Sequence, residues 1–585
     1  MGKLWRFCPH DAEQIARLER SAGVPSIVAQ LLTVRGISDG EVARAFLDAK
    51  LSGLRDPEAL PGVAEIADRL YAAVQAKRRI VIYGDYDCDG MTAAAILYRC
   101  LRLLGGDVGY YVPNRLDEGY GLSDDALRKL AARGTQTVIT VDCGIASVHE
   151  AETARDLGLE LLITDHHEFA PTLPIAAAIA HPRLPGTDYP FGDLCGAGVA
   201  LKVAWALCQR ASQAKRVTDA LREFLLTAVG LAAIGTVADV VPLLDENRVL
   251  VRHGLNSLRE RPPLGVAMLM KVTKIDSKPS LSSEDIAFTI APRLNAAGRL
   301  GQAQLGIELL VSDSRDRAEQ LAQYIHELNN SRDSLERSIY LAALKQAQEQ
   351  FDPENDPALV LSGRGWHAGV IGIVAGRLAE KFHRPVVVIS LDATGDKPGT
   401  GSARSPNGLA LHHAFAACAS HLCGHGGHAA AAGLKIEEQR IDAFRADLCE
   451  YAGALLTPEQ RRAELRIDAE AAFSQLTPHI VRQIEQLAPF GAGNPRPVLC
   501  ASGVRLAEPP KRMGGGERHL SAKLVQHGTS LRTVAFGHGD WADELAQVEG
   551  ALDIAYRPVI NDFRGRQSVE IHLVDWRPVG TPAAV

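Results

Sequence analysis

The chain contains 585 residues, of which 46% are apolar and 23% charged, and its formal net charge is −7. This length predicts two to four domains, and the composition is typical of a folded protein and excludes a largely disordered one. The acidic total argues against a protein that coats duplex DNA by bulk electrostatics, so any contact with nucleic acid has to be local. The N-terminal sequence lacks the apolar segment of a signal peptide, and the ten cysteines form no CxxC pair. We therefore expect neither secretion nor membrane insertion, and a reducing, cytoplasmic compartment.

An N-terminal segment over residues 1–60, expected to be helical, is followed by an alternation of strand-like runs and acidic clusters. The run RRIVIY leads into GDYDCDG at Asp85, QTVIT leads towards Asp142, and LELLIT leads into Asp165. A helical or polar segment follows each run, and this βαβ alternation predicts a parallel sheet in a domain over residues 61–314. Ligands bind beyond the carboxyl ends of such strands, so we expect the clusters to converge.

The remaining sequence predicts three further parts. Residues 315–350 are rich in charge and contain neither glycine nor proline, which predicts a long connecting helix. A strand–helix–strand pattern then predicts a second, smaller α/β domain over residues 355–455, and short alternating segments predict a β-barrel over residues 465–580. The expected fold class is therefore α/β, with a parallel-sheet domain joined by a long helix to a smaller α/β domain, and a C-terminal barrel.

Three aspartates, Asp85, Asp87 and Asp89, alternate with other residues in GDYDCDG. If this stretch stays extended, all three carboxylates lie on one side, where they repel each other unless they are protonated or bind a cation. Oxygen ligands of this kind suit magnesium or manganese. The alternative is a solvated turn like a calcium loop, but that pattern needs a later glutamate and a preceding helix, and a strand precedes here.

The other clusters extend this set. Asp142 alone would be an ordinary strand-end carboxylate, but the Asp165-His166-His167 cluster adds imidazole nitrogens, which shift the preference from calcium towards manganese. Asp239 stands in the apolar segment AAIGTVADVVPL, where it needs a cation or, alternatively, a buried salt bridge. Two divalent ions held by such a set are suited to phosphoryl hydrolysis. The candidate ligands are Asp87, Asp89, Asp142, His166 and Asp239.

These clusters, in this order, resemble the four motifs of the DHH phosphoesterase superfamily. Further segments are similar to those of the RecJ exonucleases, and the resemblance spans essentially the full length, including an N-terminal LLTVRGI and a C-terminal barrel like an OB-fold. These segments are IAPRLNAAGRL (290–300), WHAGVIGIVAGRLAE (366–380), GSARS (401–405), GGHAAAAG (426–433) and LAPFGAGNPRP (487–497).

The resemblance implies that the five candidate ligands bind two Mn²⁺ or Mg²⁺ ions. It implies that His167 contacts the scissile phosphate or the attacking water. Asp165 is then expected to orient the His166 ring through its other nitrogen. Asp85 is expected next to the metals as an outer ligand.

The resemblance also implies a set of residues that bind phosphates of the substrate. The glycines of GGHAAAAG let backbone N–H groups approach a phosphate closely, and arginines clamp phosphates well. The candidates are Arg293, Asn295, Arg299, His367, Arg404, Gly426, Gly427 and His428. Aromatic residues of the barrel are candidates for stacking on bases, and these are Phe536, Tyr556, Phe563 and Trp576.

The function that the resemblance implies is a single-stranded-DNA-specific exonuclease that runs 5'-to-3', releases 5'-mononucleotides and acts in recombination and mismatch repair. It implies a monomer in the bacterial cytoplasm, active at the nucleoid, that works with single-strand binding protein and a RecQ-type helicase. One alternative is a DHH enzyme acting on short oligoribonucleotides, cyclic dinucleotides or pyrophosphate, but such enzymes generally lack the PRLNAAGR segment and the barrel. Another is a non-catalytic replication scaffold that has lost the metal ligands, whereas every ligand position is intact here.

Overall fold

The computed structural model describes residues 3–114, 121–352, 355–406, 408–563 and 565–580. Two compact units divide the described chain. The larger unit consists of Arg55–Val241 and His253–Arg462. The smaller unit consists of the described residues of Met1–Leu54, Pro242–Arg252 and Ala463–Val585.

A five-stranded parallel sheet forms the first part of the larger unit. Nearly all side chains of its central strands are buried, as the unbroken apolar runs in the sequence require when helices cover both faces. The strands, in spatial order, are Asp107–Tyr111, Arg79–Gly84, Thr137–Val141, Glu160–Thr164 and Ala178–Ala180. The helices of this part are Val63–Gln75, Cys88–Leu103, Asp124–Ala132, Val148–Asp156, Gly196–Ser212 and Asp219–Ala238. The predicted α/β class with a parallel sheet is confirmed.

A helical region connects this sheet to a second sheet. The helix predicted over residues 315–350 is present as Arg315–Gln350, and Ser314 caps its N-terminus by accepting a hydrogen bond from the Arg317 N–H. The preceding helical segments are Asp245–Glu260, Leu264–Val272, Ser283–Asp285, the π-helical Ile286–Ile290, Ala291–Arg299 and Ala303–Val311.

The second sheet of the larger unit is mixed. Its strands, in spatial order, are Leu422–Gly427, Ala431–Ile436, Gly399–Arg404, Val386–Leu391 and Leu359–Arg364. The last two pair in parallel and the others are antiparallel. The helices beside it are Ala368–Phe382, Leu411–Ala417 and Ile441–Leu455. The glycine-rich GGHAAAAG segment therefore forms the turn of a β-hairpin in this sheet, with the adjoining ends of its two strands.

The smaller unit contains the barrel and the N-terminal residues. Its N-terminal part is not wholly helical, because Leu4–Phe7 is a strand that pairs in parallel with Glu464–Ile467. Its helices are Ala12–Ala22, Ser26–Thr33, Gly40–Asp48, Pro478–Glu485 and Trp541–Ala546. A seven-stranded sheet closes through pairing of its second and sixth strands, and the strands in order are Ala469–Glu470, Leu499–Leu506, Leu552–Phe563, Arg566–Pro578, Thr529–Ala535, His519–Gln526 and Lys511–Met513.

The barrel aromatics differ in position. Tyr556 is fully buried and its hydroxyl donates to the Ala471 carbonyl at 2.7 Å, so it belongs to the core and the stacking role expected for it is wrong. Phe536 is 58% exposed and remains a candidate. Trp576 packs partly buried against the core, and the side chain of Phe563 lies outside the described residues.

Within the described ranges, one helix, Asp219–Ala238, is long and apolar enough to cross a membrane. Its apolar window is 56% buried inside the fold, as expected for a core helix. Its C-terminal end leads directly to Asp239, so burial of this helix positions one of the candidate ligands.

Candidate metal centre

The acidic clusters meet at the carboxyl ends of the parallel strands, as expected. Their side chains form three overlapping groups whose ligand atoms lie within 4.8 Å of one another. These groups are Asp142 with His166 and His167, Asp89 with His166 and Asp239, and Asp85 with Asp87 and Asp142. Asp142 and His166 each belong to two groups, so the groups form one continuous centre.

The aspartate-rich loop is not extended throughout, contrary to the sequence-based expectation, because a helix begins at Cys88. The strand Arg79–Gly84 ends before it, and Asp87 is the N-cap of the next helix, where its Oδ1 accepts a hydrogen bond from the Gly90 N–H at 3.0 Å. The helix begins directly after Asp87, because an aspartate at the N-cap accepts a hydrogen bond from a first-turn N–H group that has no partner within the helix. Asp89 therefore reaches the centre from the first helical turn.

A second helix N-terminus holds Asp89 in place. The N–H groups of Gly196 and Ala197 donate to its two carboxylate oxygens at 2.6 and 2.9 Å. The positive end of the helix Gly196–Ser212 thus faces a buried carboxylate.

Two glycines make room for the carboxylates. A Cβ at Gly196 would stand 2.5 Å from the Asp142 Cβ, and a Cβ at Gly235 would overlap Asp89 Oδ1. Asp142 itself has a φ of 62°, a left-handed conformation that directs its side chain off the end of the strand. Sequence reasoning missed both glycines, because nothing local distinguishes them from other helical glycines.

His166 lies among carboxylates without being hydrogen-bonded to them. Its Nε2 is 3.1 Å from Asp142 Oδ1, 3.6 Å from Asp239 Oδ2 and 3.9 Å from Asp89 Oδ2. Among the described residues this buried nitrogen makes no hydrogen bond. Burial lowers the pKa of His166 to about 4, so the ring is neutral near pH 7 and its nitrogen is available as a ligand.

Three carboxylates of the centre, Asp89, Asp142 and Asp239, resist ionisation. Burial, followed by repulsion from Asp89 and the other carboxylates, raises the pKa of Asp142 well above its usual range. The same causes raise the pKa of Asp239 to about 8. Burial also raises the pKa of Asp89. A divalent cation relieves this repulsion, and a set of carboxylate oxygens with one imidazole nitrogen fits manganese or magnesium.

Asp165 orients a different histidine from the one expected. Asp165 Oδ1 lies 2.7 Å from His167 Nδ1. The same oxygen accepts a hydrogen bond from the backbone N–H of His166 at 2.7 Å, and not from the His166 ring. Burial lowers the pKa of His167, but the hydrogen bond and charge of Asp165 prevail and raise it to about 9. His167 is therefore protonated near pH 7, with Nδ1 directed to Asp165.

His167 lines two cavities. One, of about 590 Å³, is bordered by the Gly144–Ser147 loop and by Arg183 and His428. The other, of about 320 Å³, is bordered by Asp85, Asp87, Asn295 and Arg299. Three of the predicted phosphate-binding residues, Asn295, Arg299 and His428, thus lie beside the centre.

The other five predicted phosphate-binding residues border neither of these cavities, all of them being in described parts of the chain. Arg293 donates to the Thr289 carbonyl and to His326, and Arg404 donates to Ser402 and to the Ala403 carbonyl. His367 caps the helix Ala368–Phe382 through the Gly369 N–H. Gly426 and Gly427 lie on the exposed strand Leu422–Gly427. Their phosphate contacts stay predictions.

Two residues missed by sequence reasoning hold the backbone of the histidine pair. The fully buried His181 donates from Nε2 to the His167 carbonyl at 2.9 Å, because its Nδ1 accepts from the Arg183 N–H. Arg183 donates to the His166 carbonyl at 2.7 Å. No signal in the sequence connects these residues with the pair.

A parallel sheet with aspartates and histidines at its carboxyl edge, followed by a smaller mixed-sheet domain, defines a metal-dependent phosphoesterase of the DHH class. Family models agree: the DHH family N-terminal domain matches residues 79–231, the DHHA1 domain residues 355–454 and the RecJ OB domain residues 467–575.

Similar proteins narrow the class. The single-stranded-DNA-specific exonuclease RecJ of Bacillus subtilis is 35% identical over 98% of this chain and 70% of its own length. The protein of the same description from Escherichia coli is 34% identical over 95% of this chain and 97% of its own. A crystal structure of RecJ with Mn²⁺ from Thermus thermophilus has a TM-score of 0.82 at 30% identity, covering 98% of this chain and 79% of that one. The chain belongs to the RecJ exonuclease family and is a metal-dependent nuclease.

Proposed function

We propose that this chain is an exonuclease that degrades single-stranded DNA from the 5' end, releases 5'-mononucleotides and uses two Mn²⁺ or Mg²⁺ ions. The observation that carries the proposal is the set of overlapping ligand groups that share Asp142 and His166. Relatives with 34% and 35% identity are described as single-stranded-DNA-specific exonucleases, which supports the substrate.

The proposed ligands divide between the two ions. Asp89, His166 and Asp239 would hold one ion, and Asp87 and Asp142, with Asp85 next to them, would hold the other. Two such ions supply an activated water and neutralise charge on the leaving oxygen. The amide groups of the Gly196–Ser212 helix hold Asp89 in a fixed orientation, which spares reorganisation during the reaction.

His167 is proposed to hold the scissile phosphate. Its Nδ1 is directed to Asp165, so Nε2 carries the proton that can be donated to a phosphate or leaving oxygen. The hydrogen bond to Asp165 favours this proton, and in the metal-free protein the pKa of His167 is raised to about 9. Asp165 is thus a positioning residue for His167.

The substrate strand is proposed to run past His167 along the two cavities beside it. Arg299 and His428 border these cavities and would contact phosphates, with Arg293, His367, Arg404, Gly426 and Gly427 contributing further along the strand. The exposed Phe536 is the proposed base-stacking residue of the barrel. We also propose the five-part division into residues 1–60, 61–314, 315–350, 355–455 and 465–580.

The cellular role is proposed from family membership. The protein would act as a monomer in the bacterial cytoplasm, at the nucleoid, in recombination and mismatch repair. Single-strand binding protein and a RecQ-type helicase are the proposed partners.

The test is digestion of single-stranded DNA that carries a label at either the 5' or the 3' end. We expect 5'-labelled mononucleotides to be released first, with Mn²⁺ and not with EDTA. His166→Ala should abolish the reaction, and His149→Ala, on a side chain that is 74% exposed, should not. Release from the 3' end would overturn the polarity. Hydrolysis of a dinucleotide or of pyrophosphate, with intact DNA, would overturn the substrate.

A further inference from the structure

Asn295, in the helix Ala291–Arg299, accepts a hydrogen bond from the end of the aspartate-rich loop. The Oδ1 atom of Asn295 accepts a hydrogen bond from the Cys88 N–H at 2.8 Å. Cys88 is the first residue of the helix Cys88–Leu103, and the first-turn N–H groups of a helix have no partner inside it. Asp87 satisfies the Gly90 N–H in the same turn. Asn295 therefore completes the cap that Asp87 begins.

The packing around this contact is close. A Cβ at Gly298 would overlap the Tyr86 carbonyl oxygen, so the helix Ala291–Arg299 touches the backbone of the loop. Cys88 has no exposed surface while Asn295 is in place, and a leucine at position 295 would cover the same N–H without accepting from it. The position of the loop thus depends on a residue more than 200 positions away in the sequence.

We propose that Asn295 is a positioning residue for metal binding, which fixes the turn between Asp87 and Asp89 so that both carboxylates face the centre. The proposal rests on the proposed ligand roles of these aspartates, and it gives Asn295 a task other than the phosphate contact expected from sequence. Without the acceptor, the turn has to be reordered whenever an ion binds. Residues that orient ligands typically change metal affinity about 10- to 100-fold.

The experiment measures Mn²⁺ binding to the full chain without DNA, from the electron paramagnetic resonance signal of free Mn²⁺, and single-stranded DNA binding in EDTA. Asn295→Leu and Asn295→Ala remove the acceptor, whereas Asn295→Gln keeps a neutral amide oxygen. Asn256→Leu, at an exposed position of the helix Asp245–Glu260, is the matched control.

We expect Asn295→Leu to weaken Mn²⁺ binding by about 10- to 100-fold while DNA binding in EDTA stays as in the wild type. Asn295→Gln and Asn256→Leu should keep both. Wild-type Mn²⁺ affinity in Asn295→Leu would overturn the proposal. If Asn295→Leu does not fold, Asn295→Ala decides: weaker Mn²⁺ binding with wild-type DNA binding in EDTA supports the proposal, and wild-type Mn²⁺ affinity or weaker DNA binding overturns it.

Asp142→Ala separates this inference from the proposed metal centre. If Asp142→Ala binds Mn²⁺ like the wild type, the ligand set fails and the role of Asn295 with it. If Asp142→Ala loses the ion while Asn295→Leu retains wild-type affinity, only the role of Asn295 is overturned.

Discussion

Gly235 offers a direct test of how tightly the metal centre is packed. It lies in the helix Asp219–Ala238, and a Cβ there would overlap Asp89 Oδ1 and stand 2.6 Å from the Ala197 Cβ and from Thr92 Oγ1. Asp89 has little freedom to move away, because backbone N–H groups of the neighbouring helix hold both of its oxygens. Gly235→Ala should therefore displace a carboxylate of the centre.

The expected magnitude follows from two opposing effects. Replacing glycine by alanine inside a helix stabilises it by about 1 kcal/mol. Overpacking a buried site costs about 1–3 kcal/mol. The free energy of unfolding should thus fall by roughly 0–2 kcal/mol, whereas Mn²⁺ affinity should fall by about tenfold or more, because an orienting contact of a ligand is lost.

Gly453→Ala is the matched control. Gly453 lies in the helix Ile441–Leu455, and the nearest atom to a Cβ there, Pro357 Cγ, is at an ordinary distance of 3.5 Å. In this variant the free energy of unfolding should rise by up to about 1 kcal/mol, and the Mn²⁺ affinity should stay unchanged. Urea unfolding measures the free energy of unfolding, and the electron paramagnetic resonance signal of free Mn²⁺ measures the affinity. A Gly235→Ala protein that is stabilised like Gly453→Ala and binds Mn²⁺ like the wild type would refute the reasoning.

Three further predictions concern pH and stability. Because burial and neighbouring carboxylates raise the pKa of Asp239 to about 8, its proton must leave before an ion binds, so Mn²⁺ affinity should rise at least about tenfold per pH unit up to that value; an affinity that does not change with pH contradicts this. Tyr556→Phe removes the hydrogen bond to the buried Ala471 carbonyl. It should lower the free energy of unfolding, measured with urea, by about 1–3 kcal/mol. Arg248, fully buried, donates to three backbone carbonyls, so Arg248→Leu should cost about 3 kcal/mol or more, and an unchanged unfolding midpoint would count against that account.

Much of the centre is predictable from sequence because of one geometric rule. Parallel strands end at a common edge, so residues that follow separate apolar runs, such as Asp142 and His166, must lie near one another. The long helix Arg315–Gln350 was equally predictable, since its charge and lack of breakers leave no alternative local structure.

The local conformation of the aspartate loop was not predictable in the same way. The alternation of Asp85, Asp87 and Asp89 suggested an extended stretch, but the cap formed by Asp87 starts a helix at once. The pair Asp89-Gly90 is compatible with both an extended and a helical backbone. Packing of Gly298 against the Tyr86 carbonyl favours the turn into the helix.

The sequence by itself determined the class of fold, the family and the side chains that meet at the sheet edge, because periodicity and strand ends are local properties of a chain. The tertiary structure alone decided that Asp165 bonds the His167 ring, that Gly196 and Ala197 hold Asp89, and that Tyr556 points into the core. These contacts depend on rotamers and on the packing of helices, and the partners of Asp89 lie more than 100 positions away from it.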